Sequence, residues 1–226
     1  MFIEIVVILL LLSGLILFLV LVCNKKGNKP LDNIKLATVK KPPKTTKLAI
    51  VSMVTKQPDF DFWLEYHLEH LGFDIIFLRV EDSPKYKPLI QKYGNRIIAS
   101  FHDKKDINTK NNYQTIMDRQ KELVNSSIKK SKELGIDYLF HIDADELIYV
   151  GSKRDKNSSL KKYLNNVEPK YSCIHFKNFE GIFKKDNKRC FNTNRFIDCE
   201  KGSCLSYANG KSAGRIIKNI KFHGPH

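Results

Sequence analysis

The chain has 226 residues, 42 % hydrophobic and 11 % aromatic, which leaves room for one globular domain of ordinary size plus appendages and excludes a disordered polymer. Its formal net charge is +15, carried mostly by Lys, with Asn and Ile also plentiful. Arg is the residue suited to bidentate reading of bases and phosphates, so this lysine excess does not mark nucleic acid as the primary partner.

The chain opens on IVVILLLLSGLILFLVLVC, Ile5 to Cys23, with no charge and with Ser13 as the only polar side chain besides the cysteine. About twenty such residues match the hydrocarbon thickness of a bilayer. Glu4 is the only charged side chain before the run, and Leu21-Val22-Cys23-Asn24 is a poor cleavage site, so an uncleaved anchor is expected rather than a signal peptide. The expectation is therefore a single-pass membrane protein anchored by residues 1–23. Lys25, Lys26 and Lys29 favour a cytosolic side for the chain after the span, a bias that leaves the side of the soluble domain open. Residues 24–46 are Lys- and Pro-rich without an apolar period and read as a stalk. Residues 47–226 are expected to form the domain. Cys173, Cys190, Cys199 and Cys204 lie close together in the last third, compatible with two disulfides or with buried thiols.

Within that domain, KLAIVSMV over 47–54 is a nearly continuous apolar run, the pattern of a strand buried on both faces. Phe60, Trp63, His67, His70 and Phe62, Tyr66, Glu69 recur at helical spacing over 59–71, and Gly72 ends that helix. Trp63, Tyr66, His67 and His70 read there as packing residues rather than ligands. A strand follows over 74–80, then a short helix to about Tyr93 and a strand over 96–101. A long helix over 112–134 stops at Gly135 and leads to a strand in DYLFHID, 137–143. This alternation predicts an α/β domain with a mainly parallel sheet flanked by helices. Such sheets bind ligands outside the carboxyl ends of their strands, where strand order reverses.

Polar clusters stand at three of those ends: Thr55-Lys56, Glu81-Asp82-Ser83 and Asp143-Ala144-Asp145-Glu146. On an extended strand, Asp143 and Asp145 point the same way. Two carboxylates on one side of a sheet mouth form a hard oxygen site suited to Mn²⁺ or Mg²⁺ held together with a diphosphate.

Three stretches, in order, carry a resemblance. DFWLEYHLEHLGFDIIFLRVEDS (61–83) combines a W-x-x-Y-H helix with a strand that ends at an acidic turn. DRQKELVNSSIKKSKELGIDYLFHIDADELIYV (118–150) joins an R-Q pair on a helix to a strand ending D-x-D-E. NGKSAGRIIKNIKFHGPH (209–226) has a G-K-S step followed by late histidines. Together they resemble the GT-A glycosyltransferases, especially the family 2-like and family 92-like group.

The resemblance implies a GT-A-like, Rossmann-like domain. It also implies transfer of a sugar from a nucleotide-sugar donor, UDP-linked by expectation, to a glycan, protein or lipid hydroxyl. Asp143 and Asp145 match the D-x-D that bridges the divalent metal and the donor diphosphate. His226 matches the late metal-binding histidine, with His223 as the alternative. Asp82 matches the acid facing the nucleoside, and Lys211 and Arg215 supply positive charge toward the phosphates. Glu180 stands where the family has an acid after the metal site, with Asp198 and Glu200 as rivals for the base. After the first strand the chain reads Val54-Thr55-Lys56-Gln57 where relatives carry Asn-Glu. Two other classes compete: a metal-dependent phosphoryl hydrolase, and a non-catalytic basic binding module on a membrane anchor.

Overall fold

The computed structural model describes residues 45–103, 107, 113–150, 159–182, 191, 195–199, 204 and 209–223. The chain divides into two units, residues 1–42 and 43–226, and the first lies outside the described residues. The single-pass membrane localisation expected from residues 1–23 is corrected to what the structure supports: no helix among the described residues is long and apolar enough to cross a membrane, and residues 1–23 lie outside them.

The apolar run that opens the domain becomes strand β1, Leu48–Val54, and Leu48, Ala49, Ile50 and Val51 are all fully buried. Its side chains alternate between two cores. Leu48, Ile50 and Val54 pack with Phe60, Trp63, Leu64 and Leu68 on one face of the sheet. Ala49 and Val51 face Val124 and Ile128 on the other. A strand covered on both faces needs this nearly continuous hydrophobicity, and each large side chain so buried contributes roughly 1.5–3 kcal/mol.

Strands β2 (Ile75–Glu81), β3 (Ile97–His102) and β4 (Tyr138–His141) run parallel to β1. Helix α1 (Phe60–Glu65) continues into a π-helical turn, Tyr66–His70, and Gly72 then leaves with φ +72°. The short α2 (Lys87–Gln91) precedes β3. Helix α3 (Tyr113–Leu134) buries Val124, Ser127, Ile128 and Ser131, one stripe at three- and four-residue spacing. Helix α4 (Leu160–Asn165) is capped by Ser159, whose Oγ accepts from the Lys162 N–H at 3.1 Å.

The remaining strands are β5 (Cys173–Phe176), β6 (Phe179–Gly181), β7 (Phe196–Asp198) and β8 (Lys211–Arg215). The main sheet has the order β3-β2-β1-β4-β8-β5, with β8 antiparallel to both neighbours; β6 and β7 form a separate antiparallel pair. The fold is thus a mostly parallel α/β sheet with flanking helices. Strand order reverses between β1 and β4, so the carboxyl ends of those two strands frame the switch point.

One expected strand is shorter than its sequence suggested. β4 ends at His141, not at Asp143, because the acids close a turn of their own. The Glu146 N–H donates to Asp143 O at 3.1 Å, and Glu146 Oε2 accepts from the Asp143 N–H at 2.9 Å. Asp143 and Asp145 therefore sit in a side-chain-stapled turn, and strand alternation does not set their directions. Strand β8 had no sequence signature, since KSAGR is small and polar. It pairs with β4 and β5 on its two sides, and at Gly214 a Cβ would lie 2.6 Å from Ile220 Cδ1. Cys199 and Cys204 form a disulfide, while Cys173 is an exposed free thiol and Cys190 lies outside the described residues.

Candidate functional site

Where β4 leaves the sheet, the segment from Ala144 to Ile148 is held from the α1 side by alternate carbonyls. Gln57 Nε2 donates to Ala144 O at 3.1 Å, Trp63 Nε1 to Glu146 O at 2.8 Å, and the Tyr66 hydroxyl to Ile148 O at 2.9 Å. Between them His67 bridges helix and loop. Its Nδ1 lies 2.8 Å from Trp63 O and its Nε2 faces the Ile148 N–H at 3.5 Å. A carbonyl needs a donor and an N–H needs an acceptor, so the neutral Nδ1–H tautomer satisfies both. Burial pushes the His67 imidazole down to about 3, which keeps it in that neutral form. Trp63 and His67 are core residues, as their spacing suggested, Tyr66 is half-buried and His70 is exposed; Trp63, Tyr66 and His67 also hold the acidic turn and the residues just after it in place.

From the other face, the R-Q pair of α3 reaches two strand ends. Arg119 Nε donates to Glu81 Oε1 at 2.7 Å and an Arg119 terminal nitrogen to Glu81 Oε2 at 3.1 Å. Arg79 Nε meets the same Glu81 oxygen at 2.6 Å. Glu81 is 5 % exposed, and two guanidiniums offset the cost of burying a carboxylate at the end of β2. Gln120, the next residue, points Nε2 toward Asp143 Oδ1 at 3.4 Å.

The chemistry of the mouth is set by three carboxylates and one ammonium. Lys211, the first residue of β8, places Nζ 2.8 Å from Asp143 Oδ2 and 3.6 Å from Glu146 Oε1, with its side chain 9 % exposed. Asp145 reaches solvent, yet its carboxyl is raised above the usual range by dehydration from the surrounding protein and by the neighbouring Asp143, with Lys211 acting against the shift. Gly210 makes the placement of Lys211 possible. It has φ +66°, and a Cβ there would stand 2.1 Å from Phe176 O.

On the opposite lip, Lys56 and Asp82 follow the ends of β1 and β2 with φ of 47° and 45°. Left-handed backbone at a non-glycine residue costs about 1–2 kcal/mol, and such residues cluster at ligand sites. They face each other, Lys56 Nζ lying 2.8 Å from Asp82 Oδ2. The Lys56 N–H donates to Ser83 Oγ at 2.9 Å, and the Asp82 N–H to His102 O at 3.0 Å.

The structure thus brings Asp82, Asp143, Asp145 and Lys211 to the carboxyl ends of β1, β2 and β4. Arg215 is not among them, which corrects the donor-binding role expected for it. It pairs with Tyr138 at the opposite end of β4, stacks 4.9 Å above that ring, and donates to the carbonyls of Tyr171 (3.2 Å), Val167 (3.0 Å) and Glu168 (3.3 Å). Antiparallel pairing of β8 sends its first residue to the mouth and its last to the far end. His223 is exposed and lines, with His141, Ser212 and Phe222, a cavity of about 510 Å³ on the α3 face. Glu180 is half-buried in β6 opposite Ile197, and Asp198 pairs with Phe179 in the same small sheet. His226 and Glu200 lie outside the described residues.

Hard carboxylate oxygens suit Mg²⁺ or Mn²⁺, and such ions often take only one or two protein carboxylates, completing their shell with water and substrate phosphate. Asp143 and Asp145 fit that sparse pattern. Among the described residues there is no group of three or more His, Cys, Asp and Glu side chains arranged to hold a metal, so His223 does not complete a cluster with them. Sequence reasoning missed Glu81, Arg79 and Arg119 as a buried ion group and Gln57 and Gln120 as supports. The R-Q pair and the acidic strand end were visible, but nothing local says that one reaches the other.

An acidic turn at the switch point of a mainly parallel sheet defines an α/β protein with its candidate site where nucleotides bind in folds of this kind. No family model matches the chain. It is similar to two Arabidopsis thaliana proteins named glycosyltransferase-like, at 25 % and 26 % identity over 136 residues. Each match covers 51 % of this chain and 26 % or 30 % of the relative, so the chain spans under a third of those proteins. Among solved structures it matches a 4-diphosphocytidyl-2C-methyl-D-erythritol synthase at 10 % identity, TM-score 0.35, covering 76 % of each chain. A second such synthase, from Anaerococcus prevotii, matches at 10 % identity and TM-score 0.36, covering 76 % of this chain and 71 % of that one.

Proposed function

We propose that the protein is a glycosyltransferase that takes a sugar from a nucleotide-sugar donor, UDP-linked by preference, with a divalent cation at Asp143 and Asp145. The observation that carries this reading is the stapled Asp143–Glu146 turn at the switch point, gripped by Gln57 and Trp63, with Tyr66 and His67 holding Ile148 just after it. A surface loop of ordinary acids has no need of four side chains fixing its backbone and that of the residues just after it. The similarity to proteins named glycosyltransferase-like supports the same class.

In this reading the donor diphosphate lies over the mouth between β1 and β4. The cation, when bound, stabilises negative charge on the departing nucleoside diphosphate. Asp143 and Asp145 hold it through hard oxygens, and Gln120 steadies the Asp143 carboxylate from α3. Lys211 adds a positive charge beside the phosphates. Asp82 faces the nucleoside from the end of β2, and its partner Lys56 marks the same lip. Glu180 is the proposed acceptor base, since an inverting transfer needs a carboxylate to take the hydroxyl proton. The acceptor is a glycan, protein or lipid hydroxyl.

The test is incubation of the protein with a panel of nucleotide sugars and Mn²⁺, following nucleoside diphosphate release. Donor turnover that disappears in Asp143→Ala and Asp145→Ala is expected. Phosphate release from simple esters, or donor turnover indifferent to both substitutions, overturns the reading.

A further inference from the structure

We infer that Lys211 is a built-in counter-cation of the acidic turn: it competes with a divalent cation for Asp143 and, once displaced, turns to the donor phosphates. This rests on the proposed function and specifies how its site is switched.

Lys211 is placed by the sheet rather than by a loop. It pairs with Phe176 across β5–β8, and Gly210 before it tolerates no side chain because of the Phe176 carbonyl. From that fixed Cα the side chain runs through protein, 9 % exposed, to an ammonium 2.8 Å from Asp143 Oδ2 and 3.6 Å from Glu146 Oε1. The other oxygen of Asp143 meets Gln120 at a long 3.4 Å. One half of the main acidic ligand is thus held by a cation of the protein itself, and the other half is loosely held.

Two cations drawn to one carboxylate repel each other across a few ångströms. A divalent ion at Asp143 therefore weakens the Lys211 contact, and Lys211 weakens the ion by the same factor, because coupling is reciprocal. Lysine can answer by rotating its stem, which a planar guanidinium does less readily. A displaced ammonium keeps Glu146 Oε1 within reach, and a donor diphosphate brings a second, more highly charged anion to this mouth. Cation and nucleoside diphosphate should then bind with positive coupling that depends on Lys211.

Calorimetric titration of Mn²⁺ into wild type, Lys211→Met and Lys211→Arg, with and without UDP, tests this. Lys211→Met should bind Mn²⁺ about tenfold more tightly without UDP, a change of ~1.4 kcal/mol, and UDP should strengthen its Mn²⁺ binding less than in wild type. Lys211→Arg should stay near wild type in the absence of UDP. Equal Mn²⁺ affinity in wild type and Lys211→Met overturns this inference alone. Absence of Mn²⁺ binding in every protein overturns both the inference and the metal site it rests on. Because Lys211→Met could fold poorly, the Lys211 ε-carbon resonance in wild type is followed on adding Mg²⁺. A shift that grows with UDP is expected, and an unmoved resonance with saturated Mg²⁺ overturns the inference.

Discussion

Replacing His67 by Phe should change how stability depends on pH. The imidazole is fully buried between Trp63, Tyr66 and Phe73, with ring centroids 4.5, 5.3 and 6.0 Å away, so a phenyl ring can keep most of that packing. What it loses is the Nδ1–H donation to Trp63 O and the acceptor facing the Ile148 N–H. At pH 7 that loss should cost about 1–3 kcal/mol. The imidazole titrates near 3 in the folded protein against an ordinary 6.5, so the unfolded chain binds the extra proton between those values. Its contribution is complete above about pH 6.5 and falls by about 1.4 kcal/mol per pH unit as pH drops toward the folded value. Between pH 7 and pH 5 the wild type should lose about 2 kcal/mol that His67→Phe retains. Urea unfolding of both proteins at pH 7, 6 and 5 reads this directly. The variant starts weaker and the gap closes or reverses by pH 5. Parallel curves would refute the neutral, buried bridge between helix and acidic turn.

Arg119→Met removes two charged hydrogen bonds but leaves Glu81 paired with Arg79, and should lower stability by about 1.5–3 kcal/mol in urea unfolding. Asp145→Asn removes a carboxylate whose charged form is disfavoured in the folded protein. The substitution should raise the melting temperature slightly at neutral pH while abolishing Mn²⁺ binding; unchanged Mn²⁺ affinity would remove Asp145 from the site. For the same reason, Mn²⁺ affinity in wild type should decline as pH falls from neutral, at higher pH than an ordinary Asp would cause, as titration calorimetry can follow. Arg215→Met cuts three carbonyl contacts and a ring stack at the far end of β4. It should cost about 2–3 kcal/mol of stability, with UDP affinity unchanged. A specific loss of UDP affinity would restore Arg215 to the donor side.

What the sequence by itself determined is the central architecture and the address of the acids. The nearly continuous apolar run at 47–54, the helical spacing of Phe60, Trp63 and His67, and the stop at Gly135 are local signals, and each reflects a period or a backbone constraint that tertiary contacts did not override. They yield alternating strands and helices, and from that alternation the acids after β4 fall at a sheet end. Strand β8 was hidden because KSAGR carries no apolar alternation, and the close approach of Ile220 Cδ1 that suits a glycine at 214 exists only in the folded chain. The geometry of Asp143 and Asp145 was also a tertiary outcome: Glu146 folds back on the Asp143 N–H and ends the strand two residues early. Lys211 and Arg215 look alike as two cations four positions apart. Only the antiparallel direction of β8 sends one to Asp143 and the other to Tyr138, since opposite ends of a strand lie at opposite edges of the sheet.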